Sequence, residues 1–260
     1  MKIPPLQVEL LPRTAYSATD AGACSVLGIA LEPQRGVHAV ASDRRVDFHS
    51  RFGELSFKPA GMGVFSESGE GGEYLLVRAP GPAPQSVEGR PQWLAGATTL
   101  GVALQLRAAL LGGADGSRLS GLVQAFVCEA WRDRGGALAT PDRLRSRYQP
   151  VLDWIEGALD EGRTGDLRLE VLAGVAEQGT FQFLRSFSKA VGLTPHAYVN
   201  ERRLQLARRV ARTPGASLAE AAFAAGYASQ SHMGTSFRRA LGVTPAAWRK
   251  AASSPVLRAA

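Results

Sequence analysis

The chain carries only two cysteines, three methionines and four histidines in 260 residues. Cys24 and Cys128 are far apart and fit no metal-ligand or CxxC redox spacing. They read as small buried hydrophobes in a reducing compartment. Histidine is too dispersed for a clustered His-x-His site, so His38 and His49 read as structural or surface groups and no metal is expected. Long apolar runs are missing too. The longest, 94–114, is interrupted by Gln105 and Arg107, which makes it a core-facing helix and not a membrane span. The opening MKIPPLQVELLPRTAY holds no apolar core of signal-peptide length. A soluble cytoplasmic protein is the expectation, with no membrane partner.

The third scarcity is local. Residues 178–260 contain only two acidic side chains against twelve Lys/Arg. Residues 1–140 balance thirteen basic with thirteen acidic, and 141–177 hold five basic and eight acidic. The whole formal excess of +7 therefore originates in the last third. A neutral body with a concentrated basic end is the footprint of a phosphate-backbone binder; a basic surface serving solubility alone would be dispersed.

Length favours two modest domains. From Cys24 to Val77 the chain reads as short strands: 24–31, 37–41, 46–52, 55–57 and 74–77. Turn signals at Pro33-Gln34-Arg35-Gly36, at Pro59-Ala60-Gly61 and in GEGGE (69–73) separate them. This predicts a small antiparallel β-unit. A Pro/Gly connector, 79–92, leads to two helices, roughly 94–111 and 117–134. The apolar face of the second (Leu119, Leu122, Val123, Phe126, Val127, Trp131) could pair between protomers or pack on its own sheet. RGGALATP (134–141) marks a boundary by composition, and beyond it everything is helical. The expected organisation is 1–134 as a β-rich domain, 135–141 as a linker, 142–252 as an all-α domain and 253–260 as a tail. The fold class is α+β.

FSKAVGLTPHAY (187–198) returns fifty residues later as FRRALGVTPAAW (237–248). Leu169 and Ala173 likewise anticipate Leu218 and Ala222. Each copy is a helix, a tight turn, a second helix ending in glycine and Thr-Pro opening another, which is a helix-turn-helix. The segment 194–213 would join the copies as a helix of about 20 residues, spanning roughly 30 Å. Major-groove faces on one side of DNA recur every ~34 Å. One chain could thus place two recognition helices in adjacent grooves.

These residues also carry a family resemblance. From roughly 145 to 252, and above all in GYASQSH followed by FRRALGVTPAAWR, the chain resembles the DNA-binding domain of AraC/XylS-type bacterial transcription regulators. The resemblance implies seven helices in two helix-turn-helix units, with 179–190 and 229–240 entering the major groove. It also implies a cupin-like N-terminal domain for effector sensing or dimerisation. Its partners would be double-stranded DNA, a small-molecule effector, a second copy of the chain and, if the protein activates, RNA polymerase. Several positions depart from the family pattern. The first turn reads Glu177-Gln178-Gly179 and lacks an N-cap oxygen, Leu184 stands at a place usually polar, and Met233-Gly234-Thr235 replaces a more usual aromatic-Ser-Arg. Gly234 inside a helix should cost up to about 1 kcal/mol relative to Ala.

On 179–190, Phe183 and Phe187 should face the core, leaving Thr180, Phe181, Gln182 and Arg185 as base-reading candidates. Gln pairs with adenine and Arg with guanine, and Phe181 could contact a thymine methyl or belong to the core. On 229–240 the outward set is Ser229, Gln230, Ser231, His232 and Thr235. Lys189, Arg238 and Arg239 fit phosphates, which position a protein without reading sequence. Arg202, Arg203, Arg208 and Arg209 read as a mainly solvated face of the connecting helix. No catalytic cluster is legible: GEGGE lacks the lysine and following helix of a phosphate loop, and Ser66 and Ser68 have no base nearby. The expectation is a sequence-specific transcription regulator, not an enzyme, with no cofactor. Two rivals are a cupin-like enzyme with a DNA-binding tail and a non-specific architectural DNA binder.

Overall fold

The computed structural model describes residues 6–79, 92–135, 146–251 and 257–259. Residues 80–91 of the Pro/Gly connector, and 136–141 of the expected boundary, lie outside them. The chain divides into two compact units. One comprises Met1–Ala95, Thr99–Arg134 and Ser254–Ala260; the other comprises Gly96–Thr98 and Gly135–Ser253.

The first unit contains strands β1 (Gln7–Leu11), β2 (Tyr16–Asp20), β3 (Ser25–Ala30), β4 (Gln34–Val40), β5 (Val46–Ser50), β6 (Glu54–Lys58), β7 (Val64–Ser68), β8 (Tyr74–Ala79), β9 (Gln92–Leu94) and β10 (Leu257–Ala259). They form a six-stranded sheet, β10-β1-β8-β3-β6-β9, and a four-stranded sheet, β2-β7-β4-β5, paired antiparallel throughout the described residues. In the larger sheet the registers align Leu10, Leu75, Ile29 and Leu55 in one cross-strand row. Val8, Val77, Leu27 and Phe57 form the next. All eight side chains are buried and lie on one face. Strand β3, at the centre, is buried along its whole length and so on both faces, which is why it is a continuous apolar run instead of an alternating one.

Helices α1 (Ala97–Leu111) and α2 (Gly116–Gly135) belong largely to this unit. Helix α2 buries Leu119, Val123, Phe126 and Ala130. Trp131 packs edge-on to Phe57 at 4.9 Å, and Trp93 Nε1 donates to the Ala130 carbonyl at 3.2 Å. Between the two choices left by the sequence, α2 turns most of its apolar face to its own sheet. On α1, Arg107 pairs with Glu73 at 3.1 Å while both are almost completely buried. No described helix is long and apolar enough to cross a membrane.

Several expectations are corrected. Strands β1, β2 and β7 were not legible: YSATD and VFSES are short, of mixed polarity and largely unburied, and β1, QVELL, has a buried centre but carries Glu9 within it. The segment Pro33–Gly36 is not a turn: Gln34 already begins β4. Gly36 is there because β7 passes close by, and a Cβ on it would lie 2.0 Å from the Glu67 carbonyl oxygen. Residues 257–259, read as tail, pair with β1. Neither cysteine is buried, Cys24 being half-buried and Cys128 exposed.

The second unit holds seven helices among the described residues: α3 (Gln149–Asp160), α4 (Leu169–Val175), α5 (Thr180–Val191), α6 (Pro195–Arg212), α7 (Leu218–Ala224), α8 (Gln230–Leu241) and α9 (Pro245–Ala251). A 3-10 turn, Thr164–Leu167, follows α3. Pro150 occupies the first turn of α3, where its missing N–H costs nothing. Helix α6 touches α3, α5, α7, α8 and α9 and is the strut of the unit. The α+β class, with a β-rich N-terminal part and seven-helix C-terminal part, is the one the sequence indicates.

Candidate nucleic-acid interface

The repeated motif becomes the same corner built twice. Helices α5 and α8 each end on a left-handed glycine, Gly192 with φ 82° and Gly242 with φ 72°. Thr194 and Thr244 then cap the next helices, each hydroxyl accepting at 3.2 Å from the N–H three residues on, that of Ala197 or Ala247. The aromatic pair behind each corner also matches. Phe187 meets Tyr198 at 6.1 Å and 77°, and Phe237 meets Trp248 at 6.0 Å and 71°. Sequence repetition here is repetition of local chemistry: an αL residue needing no Cβ, an N-cap oxygen and an edge-on aromatic contact.

The turns before the two outward helices differ. In the second unit Ser217 and Glu220 form a capping box on α7, Gly226 takes the left-handed turn at φ 74°, and Ser229 caps α8 by accepting from His232 N–H at 3.1 Å. The Glu220 carboxyl, bonded to the Ser217 backbone and hydroxyl, sits below its ordinary pKa. In the first unit Glu177 occupies the left-handed position at φ 52°, and Gly179 at the N-cap supplies no side-chain bond. Another device holds that turn. Ser186 Oγ lies 2.6 Å from the Tyr148 hydroxyl and 3.0 Å from Gln178 Oε1, tying turn, α5 and the segment before α3 together. Sequence reasoning missed this knot, since its three members are spread over 38 positions.

Both outward helices bury one side. Helix α5 buries Phe183, Phe187, Ala190 and Val191, and α8 buries Met233, Gly234, Phe237 and Leu241. On the opposite side Gln182, Arg185 and Lys189 are exposed on α5, and Thr180 is half-buried. Phe181 is 86% exposed, which removes it from the core. Ser229, Gln230, Ser231, His232, Thr235, Arg238 and Arg239 are exposed on or beside α8. The His232 ring meets Tyr227 edge-on at 5.3 Å, and burial pushes the Tyr227 hydroxyl up to about 12. Thr235 Oγ1 donates to the Ser231 carbonyl at 3.2 Å.

The connecting-helix arginines are not a mainly solvated face. Arg202 bonds Glu156 on α3 at 2.6 Å. Burial lowers the Arg203 guanidinium below its ordinary pKa. Arg208 is buried at 6% exposure and stacks 5.2 Å over the Trp248 ring, with Arg212 at 5.3 Å. Arg209 alone of the four is exposed, and it pairs with Asp160 at 3.1 Å. Periodicity left these arginines outward, but α3 closes over Arg202, the 3-10 turn over Arg203 and α9 over Arg208. Sequence reasoning also passed over Phe223 on α7, 85% exposed. Leu218, Ala221, Ala222 and Ala225 mark the inner side of that helix, and Phe223 falls off it.

A helix-turn-helix domain family matches residues 172–251, the stretch that carries both corners. The C-terminal domain of this chain is an AraC-type helix-turn-helix domain. The chain is similar to the HTH-type transcriptional regulator MtrA of Neisseria gonorrhoeae, at 30% identity over 48% of this chain and 36% of that protein. It is also similar to the HTH-type transcriptional activator RhaS of Escherichia fergusonii, at 38% identity over 43% of this chain and 39% of the relative. The chain thus spans little more than a third of the curated relatives it matches. Among solved structures, the DNA-binding domain of AdpA in complex with a target DNA is 30% identical. That match covers 39% of this chain and 91% of the other, with a TM-score of 0.34.

Proposed function

We propose that this protein is a sequence-specific transcription regulator of double-stranded DNA that inserts α5 and α8 into successive major grooves. The observation that carries the reading is the duplicated corner, with one side of each outward helix left exposed and furnished with base-reading and basic side chains. The strut supports it: α6 has 18 residues, and at 1.5 Å per residue spans ~27 Å, close to the ~34 Å groove repeat. In this scheme Gln182 and Arg185 on α5, and Gln230 and His232 on α8, face base edges with Thr180, Ser229, Ser231 and Thr235 beside them. Lys189, Arg238 and Arg239 hold phosphates.

The N-terminal β-unit supplies effector sensing or pairing with a second copy, and an activating role would add RNA polymerase as a partner. Its two sheets are bridged where Arg78 and Lys58 meet Asp20 at 3.1 and 3.3 Å. Elsewhere in the unit the Tyr16 and Ser66 hydroxyls lie 3.1 Å apart and the Ser56 and Tyr74 hydroxyls 2.8 Å apart. A DNA partner places the protein in the bacterial cytoplasm, and no catalytic role is assigned to it.

Selection of bound sites from random duplexes by the full chain tests the proposal. Two short motifs separated by about one helical turn, ~10 bp, are expected. Arg185→Ala should relax preference at one position, whereas Lys189→Ala should weaken all sites alike. A single compact motif would remove the two-groove reading, and no enrichment at all would remove sequence specificity.

A further inference from the structure

Phe181 is an unusual side chain for its place. It lies in the first turn of α5 and is 86% exposed. Arg185 follows one turn later on the same side and Lys189 one turn after that, both exposed. Leu184, half-buried, borders the same stripe. The corresponding stripe of α8 is built from Gln230, Ser231, His232 and Thr235 and holds no large apolar side chain. The two halves of the domain therefore offer different chemistry to a groove.

A phenyl ring cannot exchange hydrogen bonds with base edges. The apolar group that the major groove presents is the C5-methyl of thymine. Burying an aromatic ring against it removes apolar surface from water on both sides. The neighbouring Arg185 and Lys189 favour a polyanion over an apolar protein surface as the occupant, because a protein surface would have to desolvate two cations around the ring.

We infer that α5 recognises a thymine-bearing half-site through contact between the Phe181 ring and one or more thymine methyls, whereas α8 reads its half-site by hydrogen bonds. This rests on the DNA-reading function proposed above and adds the base class that one half-site must contain. The cost of losing one methyl contact, at about 0.8 kcal/mol per buried methylene-sized group, corresponds to about fourfold in affinity.

The test uses the full chain and the site it selects from random DNA. The half-site whose preference relaxes with Arg185→Ala is the one under α5. Replacing its thymines by deoxyuridine removes the methyls and leaves every hydrogen-bonding group in place. Wild type should bind the substituted site about fourfold more weakly per contacted methyl. Phe181→Ala should bind the unsubstituted site more weakly and be indifferent to deoxyuridine. The ring is exposed, so this variant should unfold like wild type. Deoxyuridine placed under α8 should affect wild type and Phe181→Ala equally. A selected α5 half-site without thymine, indifference of wild type to deoxyuridine there, or equal sensitivity in Phe181→Ala would each overturn the inference while leaving the two-helix reading intact. Failure to select any site would overturn both.

Discussion

Gly226 sits in the turn that aims α8, and the structure allows the cost of replacing it to be worked out. Its φ of 74° lies in the left-handed region, and a Cβ there would stand 2.3 Å from Thr164 Cγ2 and 2.9 Å from Thr164 Cβ. Two separable penalties follow for Gly226→Ala. The backbone term for a left-handed alanine is about 1–2 kcal/mol. The steric term for forcing a methyl into occupied space is about 1–3 kcal/mol. A loss of about 3 kcal/mol in the C-terminal unit is expected. Gly215 provides the control, with φ 83° and nothing within 4 Å of its would-be Cβ. Gly215→Ala should carry the backbone term alone. The assay is urea-dependent hydrogen exchange on peptides covering 217–242 in the full chain. Thr164→Ala should recover part of the Gly226→Ala loss, with a coupling of about 1–2 kcal/mol. If the two glycine substitutions cost the same, and Thr164→Ala rescues nothing, then the 3-10 turn does not buttress the second helix-turn-helix.

Three further outcomes are expected. Glu177→Gly should stabilise the C-terminal unit by roughly 0.5–1 kcal/mol, since φ 52° is strained for glutamate and ordinary for glycine; an unchanged or lower urea midpoint would refute the strain. Arg208→Ala should cost about 2 kcal/mol, by emptying a buried place over Trp248. Arg209→Ala, at an exposed pair with Asp160, should cost well under 1 kcal/mol, so equal urea midpoints for these two variants would contradict the burial of Arg208. Burial alone would raise the Asp20 carboxyl, but the Gly22 N–H, Arg78 and Lys58 outweigh it and hold its pKa below the ordinary 3.8. A group depressed on folding stabilises above its unfolded pKa, and that contribution disappears as pH falls through the folded value. The N-terminal unit should therefore lose stability below about pH 4, and Asp20→Asn should flatten that acid limb; an acid limb of the same slope in the variant would assign it to other groups.

The elements that could be read from sequence are those fixed by neighbours along the chain. The glycines ending α5 and α8, the Thr-Pro openings of α6 and α9 and the i, i+4 placement of Phe183 and Phe187 are local chemistry, so their identity and their repetition survive in the primary structure. The strands of greatest apolar content are legible: β3 because burial on both faces leaves no room for polar residues, and β8 because its run 74–77 is apolar although only Leu75 and Val77 are fully buried. Short strands such as β2 and β7 are not, because a half-exposed strand of mixed residues is held by partners across the sheet instead of by its own composition. Gly36 shows the same limit: nothing local separates a turn glycine from one admitting a neighbouring strand.

In the recognition domain, sequence alone determined which two helices present an outward face and which side chains lie on it. It did not determine what faces those side chains from elsewhere in the fold. Arg208 became a buried stacking partner because Trp248, forty positions away, lies over it, while Phe181 remained exposed because no element among the described residues covers it. Periodicity fixes the direction of a side chain about its helix; whether that direction ends in solvent or in packed matter depends on helices that arrive from distant parts of the chain.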